Sequence, residues 1–140
     1  MGGNELILLD THVWLWLAGG RPTLSPSARA LILEASAQDA LFLSPISLWE
    51  IALKSSRGKL ELHLPLRHWM QQAVDLTAIH LLPISVEIAC DCADLPAAFH
   101  GDPADRIIAA SARATGFTLL THDKALLQLG SAGHFKAVAT

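Results

Sequence analysis

Two uninterrupted apolar runs, Leu6-Ile7-Leu8-Leu9 and Phe117-Thr118-Leu119-Leu120-Thr121, each lead within two residues to an aspartate, Asp10 and Asp123. Runs this short and this unbroken read as strands buried on both faces, which occur where helices cover both sides of a parallel sheet. Ala40 to Ser44 reads as a further strand of the same kind. Helix signals fill the intervals. Ser25-Pro26 and Asp102-Pro103 each place a capping side chain before a proline at the first helical position. They predict helices from Ser25 to about Ala37 and from Asp102 to the stop at Gly116. Alternation of strand and helix points to an α/β sandwich, a mainly parallel central sheet flanked by helices.

The remaining segments fit that plan. Trp14 to Ala18 reads as a short helix stopped at Gly19-Gly20, and Ser47 to about Arg57 as a helix closed by Gly58. Pro65 to about Thr77 and Ser85 to about Leu95 carry helical spacing. Leu81 to Ile84 and Ala137 to Ala139 read as minor strands, with Lys124 to about Leu129 a last short helix. At 140 residues, 51% of them hydrophobic and 16% charged, the chain fills one core and is too short for two ordinary domains. We therefore expect a single domain over residues 1–140. Mean hydropathy is high at +0.38, yet no stretch approaches the roughly 20 apolar residues of a membrane span. The absence of a leader pattern makes the cytoplasm the expected location. Cys90 and Cys92 stand too close along one predicted helix for an ordinary disulfide and read as small apolar fillers. A net charge of -3 argues against holding nucleic acid mainly by a basic surface.

Chemistry is carried by acids. Asp10, Glu50, Asp102, Asp105 and Asp123 all lie just after an apolar run or in the first turn of a predicted helix. In an open parallel sheet those positions face one crevice at the carboxyl ends of the strands. Carboxylates gathered there cannot all stay ionised without a compensating cation. Each acid also has a purely local reading. Ser47 with Glu50 has the form of a capping box, and Asp102 with Asp105 that of a second. Asp123 and Asp10 are each placed to cap the helix that follows. An all-oxygen set without paired histidines or thiolates favours magnesium, with manganese as the alternative, over zinc.

Four segments, in order, resemble the PIN-domain ribonucleases, and within them the VapC-like toxins of bacterial type II toxin–antitoxin pairs. They are Leu8-Leu9-Asp10-Thr11-His12-Val13-Trp14-Leu15-Trp16, Ser44-Pro45-Ile46-Ser47-Leu48-Trp49-Glu50-Ile51-Ala52 with Gly58-Lys59-Leu60, Asp102-Pro103-Ala104-Asp105-Arg106-Ile107-Ile108-Ala109-Ala110-Ser111-Ala112, and Leu119-Leu120-Thr121-His122-Asp123. The resemblance implies a PIN-like fold and a Mg2+-dependent endoribonuclease yielding a 5′-phosphate and a 3′-hydroxyl. It makes Asp10, Glu50, Asp105 and Asp123 the catalytic, metal-binding acids. Asp102 is either a fifth ligand or only the helix cap. Thr121 and Ser47 take supporting parts beside the acids. Implied partners are an RNA substrate, a cognate antitoxin lying across the active-site groove, and a second copy of the chain in a homodimer.

Lys54, Arg57 and Arg106 follow acids along their helices and are candidate phosphate contacts, although Lys and Arg in such places usually form a solvated face. His12 and His122 adjoin catalytic acids in sequence without metal-ligand spacing. The first helix is apolar all round, which implies burial or an interface. An aspartyl phosphatase is disfavoured because it needs an acid two places after the first, where His12 stands. A receiver-type switch lacks its adjacent acids. A non-catalytic PIN-like module binding RNA or protein is the rival of another class.

Overall fold

A computed structural model describes residues 5–19, 24–99 and 101–140. Its elements are β1 (Ile7–Leu9), α1 (Thr11–Ala18), α2 (Pro26–Ala37), β2 (Leu41–Leu43), α3 (Pro45–Ser56), α4 (Leu66–Thr77), β3 (His80–Leu81), α5 (Val86–Ala93), α6 (Pro103–Thr115), β4 (Thr118–Thr121), α7 (Lys124–Ser131) and β5 (Ala137–Ala139). The five strands form one sheet in the order β3-β2-β1-β4-β5, with every pairing parallel. This is the expected PIN-like α/β architecture.

Strand alternation sorts the core into two layers. Ile7 and Leu9 enter one cluster with Trp14 of α1, Ile32 of α2 and Trp69 of α4. Leu8 points the other way, into a cluster with Ile108, Ala109 and Ala112 of α6 and Leu126 of α7. All three β1 side chains are fully buried, so a run apolar at every position is what this strand requires. Each such side chain contributes about 1.5–3 kcal/mol relative to leaving it in water. Buried Ala109, Ala110, Ser111 and Ala112 let α6 lie close against the sheet. Sheet burial thus accounts for the hydropathy, and among the described residues no helix is long and apolar enough to cross a membrane.

Leaving β1, the chain steps outward to β2 and β3, then crosses back to place β4 on the other side of β1. Connections therefore depart in opposite directions from β1 and β4. A crevice opens between such strands, outside their carboxyl ends. Asp10 and Thr121 stand at its two lips.

Several boundaries differ from the sequence reading. Helix α1 starts at Thr11, earlier than expected, because the Asp10 side chain accepts from the Thr11 amide and caps it. Gly19 ends it in ordinary right-handed geometry, and Gly20 lies outside the described residues. The predicted strand Leu81–Ile84 is only His80–Leu81, with Leu82 still donating to the Leu43 carbonyl; Pro83 has no amide with which to continue. Helix α7 runs on to Ser131. Cys90 is exposed and Cys92 half-buried, so only the latter behaves as a filler.

Candidate active site

Asp10 is nearly buried, 4% exposed, at the end of β1. One carboxylate oxygen accepts from the Thr11 amide at 2.7 Å, and the other from the Thr121 hydroxyl at 2.6 Å. The Asp10 amide donates to the Leu120 carbonyl, which locks the end of β1 to the end of β4. Burial raises the pKa of Asp10, against the Thr121 and Thr11 hydrogen bonds, and the charge of Asp123 raises it further. Thr121, itself fully buried, also accepts from the Asp123 amide at 3.0 Å. One hydroxyl therefore connects two of the acids.

Asp105 occupies the first turn of α6 and is half-buried. Its pKa is pushed up to about 7, first by burial and then by the charges of Asp102, Asp10, Asp123 and Glu50. The charge of Asp102 on the same helix turn and those of Asp10, Asp123 and Glu50 from elsewhere in the chain all reach this carboxyl. Local roles coexist with these interactions. Asp102 is exposed and caps α6, accepting from the Asp105 amide at 2.9 Å. Asp123 caps α7 through the Leu126 amide at 3.0 Å. Asp10 caps α1. The cap and the cluster are not alternatives, because a helix start at a strand end serves both.

Ser47 and Glu50 do not form the expected capping box. The cap of α3 is Ser44, with Pro45 at the first helical position and the Ser44 hydroxyl accepting from the Ile46 amide at 3.2 Å. This moves Glu50 inside the helix, where it pairs with Lys54 at 3.5 Å while only 13% of its side chain is exposed. Ser47 is fully buried, its hydroxyl hydrogen-bonded to that of Thr11 at 2.7 Å. Thr11 is a site residue that the sequence reading did not single out. Its place directly after Asp10 is visible in the chain, but its contact with a residue 36 positions away is not.

The proposed phosphate contacts separate. Lys54 and Arg57 line a cavity of about 190 Å3 with Glu50, Lys59 and Asp102. Arg106 is turned elsewhere: its guanidinium donates to the carbonyls of Phe99 and Cys92 and lies over the Phe99 ring. It ties α5 and the segment after it to α6. His122 and His12 both pack on Trp16, with ring centroids 5.3 and 6.3 Å away.

The donor set of Asp10, Glu50, Asp105 and Asp123 is all oxygen, and a divalent cation would offset the burial and the repulsion that raise the pKa of Asp105. Hard ions such as magnesium suit those donors. Among the described residues no three His, Cys, Asp or Glu side chains already form a ligand group for one ion. The fit is therefore to an ion that takes one or two carboxylates directly and keeps water for its remaining positions.

Comparison with known proteins gives the family and the fold. A PIN domain family model matches residues 7–131. Ribonuclease VapC22 of Mycobacterium tuberculosis is 34% identical over 120 residues, covering 86% of this chain and 88% of that protein. Among solved structures, VapBC of Salmonella typhimurium in its DNA-bound form superposes with a TM-score of 0.70 at 14% identity, covering 96% of this chain and 98% of that one. VapBC2 of Rickettsia felis, bound to a DNA fragment from their promoter, gives 0.69 at 15% identity with the same coverage. At these identities the structural likeness establishes the fold.

Proposed function

The chain belongs to the PIN domain family, and from that premise we propose that it is a metal-dependent endoribonuclease serving as the toxin of a toxin–antitoxin pair. The chemistry is supported by the Thr121 hydroxyl, which donates to Asp10 and accepts from the Asp123 amide, and by the charges of Asp10, Glu50, Asp102 and Asp123 that reach Asp105. One or two of Asp10, Glu50, Asp105 and Asp123 would contact Mg2+, or Mn2+ in its place, directly, and the others would meet it through its bound water. Magnesium when bound supplies Lewis acidity, which activates water for in-line attack on an RNA phosphodiester and neutralises charge on the departing oxygen.

The residues of the chain fix the geometry. Thr121 and the Thr11 amide each engage one oxygen of Asp10, leaving a second lone pair on each oxygen for a cation. Ser47 steadies Thr11 from α3 and so couples the helix of Glu50 to the start of α1. Lys54 and Arg57 line the cavity that also holds Glu50 and Asp102, and would take phosphates of the RNA beside the metal. Asp102 acts as the cap of α6 and as a nearby charge. Products carry a 5′-phosphate and a 3′-hydroxyl. The protein works in the cytoplasm as a homodimer and is held in check by a cognate antitoxin, a partner suggested by the VapBC complexes that share its fold.

The test is cleavage of a mixed RNA pool by purified protein, with Mg2+ and with chelator, repeated with Asp10→Asn. Cleavage should require the metal and disappear in the variant. Activity that survives both changes rejects the mechanism.

A further inference from the structure

A second cavity, about 550 Å3, opens between α1 and the segment following α3. Its walls include His12, Trp16, Lys54, Lys59, His63 and Trp69. Lys54 and Lys59 also line the smaller cavity that holds Glu50 and Asp102. The two spaces therefore adjoin across a pair of lysines, one leading to the acids and the other to an indole.

The two tryptophans of α1 differ in a way that packing alone does not require. Trp14 is fully buried, donates through its indole nitrogen to Thr77 and meets Trp69 edge-on. Trp16 is half-buried, and its neighbours are the imidazoles of His12 and His122, which flank Asp10 and Asp123 in the chain. Aromatic faces beside a cationic track are how proteins hold single-stranded RNA, with bases stacked on rings and phosphates against Lys or Arg. Glu61 is the acid of this cavity, set against Lys54, Lys59 and the imidazoles.

We propose that this cavity is a nucleotide subsite: it takes an unpaired base adjacent to the cleaved bond, stacked on Trp16, while Lys54 and Lys59 hold the intervening phosphate. The inference rests on the ribonuclease reading and adds to it a place for one base beside the cleaved bond. Lys54 then bridges the two sites, pairing with Glu50 on one side and facing the phosphate on the other.

The experiment is fluorescence anisotropy in Mg2+ with Asp10→Asn protein, which binds without cutting. The probes are a labelled single-stranded RNA of mixed sequence and a base-free ribose-phosphate oligomer of equal length. Adding Trp16→Ala should weaken binding of the RNA by about 5- to 150-fold, the range given by loss of one base–aromatic stack. It should leave the base-free oligomer unchanged, and Trp16→Phe should keep most of the RNA affinity. Equal losses on both probes would assign Trp16 a packing role and overturn the proposal, as would no loss on either. Unchanged RNA affinity with lost antitoxin binding would give the cavity to the protein partner and overturn it as well. Cleavage of the same RNA by the unsubstituted protein, run in parallel, reads the nuclease assignment separately. Base-selective binding without cleavage would sink that assignment and keep the subsite.

Discussion

Thr121 uses one hydroxyl twice, donating to Asp10 and accepting from the Asp123 amide. Thr121→Val removes both bonds at nearly constant volume. Loss of a group that orients a metal ligand usually lowers metal affinity or activity by about 10- to 100-fold, and we expect RNA cleavage to fall by that much while Thr121→Ser retains it. An unchanged rate in the valine variant would show that Asp10 needs no such orientation. Asp105 yields a second prediction at this scale. Its ordinary value of 3.8 is raised to about 7, so between those pH values the folded chain binds more protons than the unfolded one. Stability in chelator should therefore fall as pH rises from about 4 to about 7, then level off. Asp105→Asn should reduce that slope in urea midpoints measured across the window, the raised pKa of Asp10 leaving a remainder. An undiminished slope in the variant would place its origin in another group.

At the level of elements, α3 shows how a local pattern misleads. Ser47 and Glu50 have the spacing of a capping box, but Ser44-Pro45 carries the same cap-and-proline signature as Ser25-Pro26 and Asp102-Pro103. Reading Ser44 as the end of a strand hid it, since that residue is both the end of one element and the cap of the next. Ser44→Ala should cost about 1 kcal/mol in thermal or chemical unfolding, the usual loss for a removed cap. A neutral effect would mean that the chain caps α3 by other means. Arg106 has contacts of another kind. A basic residue beside a candidate acid suggests phosphate, and its partners in the structure, the carbonyls of Cys92 and Phe99, are fixed only when α5 packs beside α6. Sequence spacing carries no sign of that packing.

Across the whole molecule, what the chain made legible was whatever depends on neighbours in sequence: buried runs, cap residues, acids at strand ends. From these and the PIN-like motifs, the parallel α/β sheet and the acids themselves could be read. The sheet order, the Thr11–Ser47 bond and the cavity that joins Trp16 to Lys54 depend on crossovers, and no local pattern encodes them. If the fold collects carboxylates into a site for a divalent ion, calorimetric titration with Mn2+ near pH 6.5 and near pH 8.5, in buffers of different ionisation heat, gives saturable binding, release of protons at the lower pH as Asp105 ionises, little release at the higher pH, and loss of binding in Asp10→Asn. Absence of binding to the unsubstituted protein, or equal binding by the Asp10→Asn variant, would contradict that arrangement.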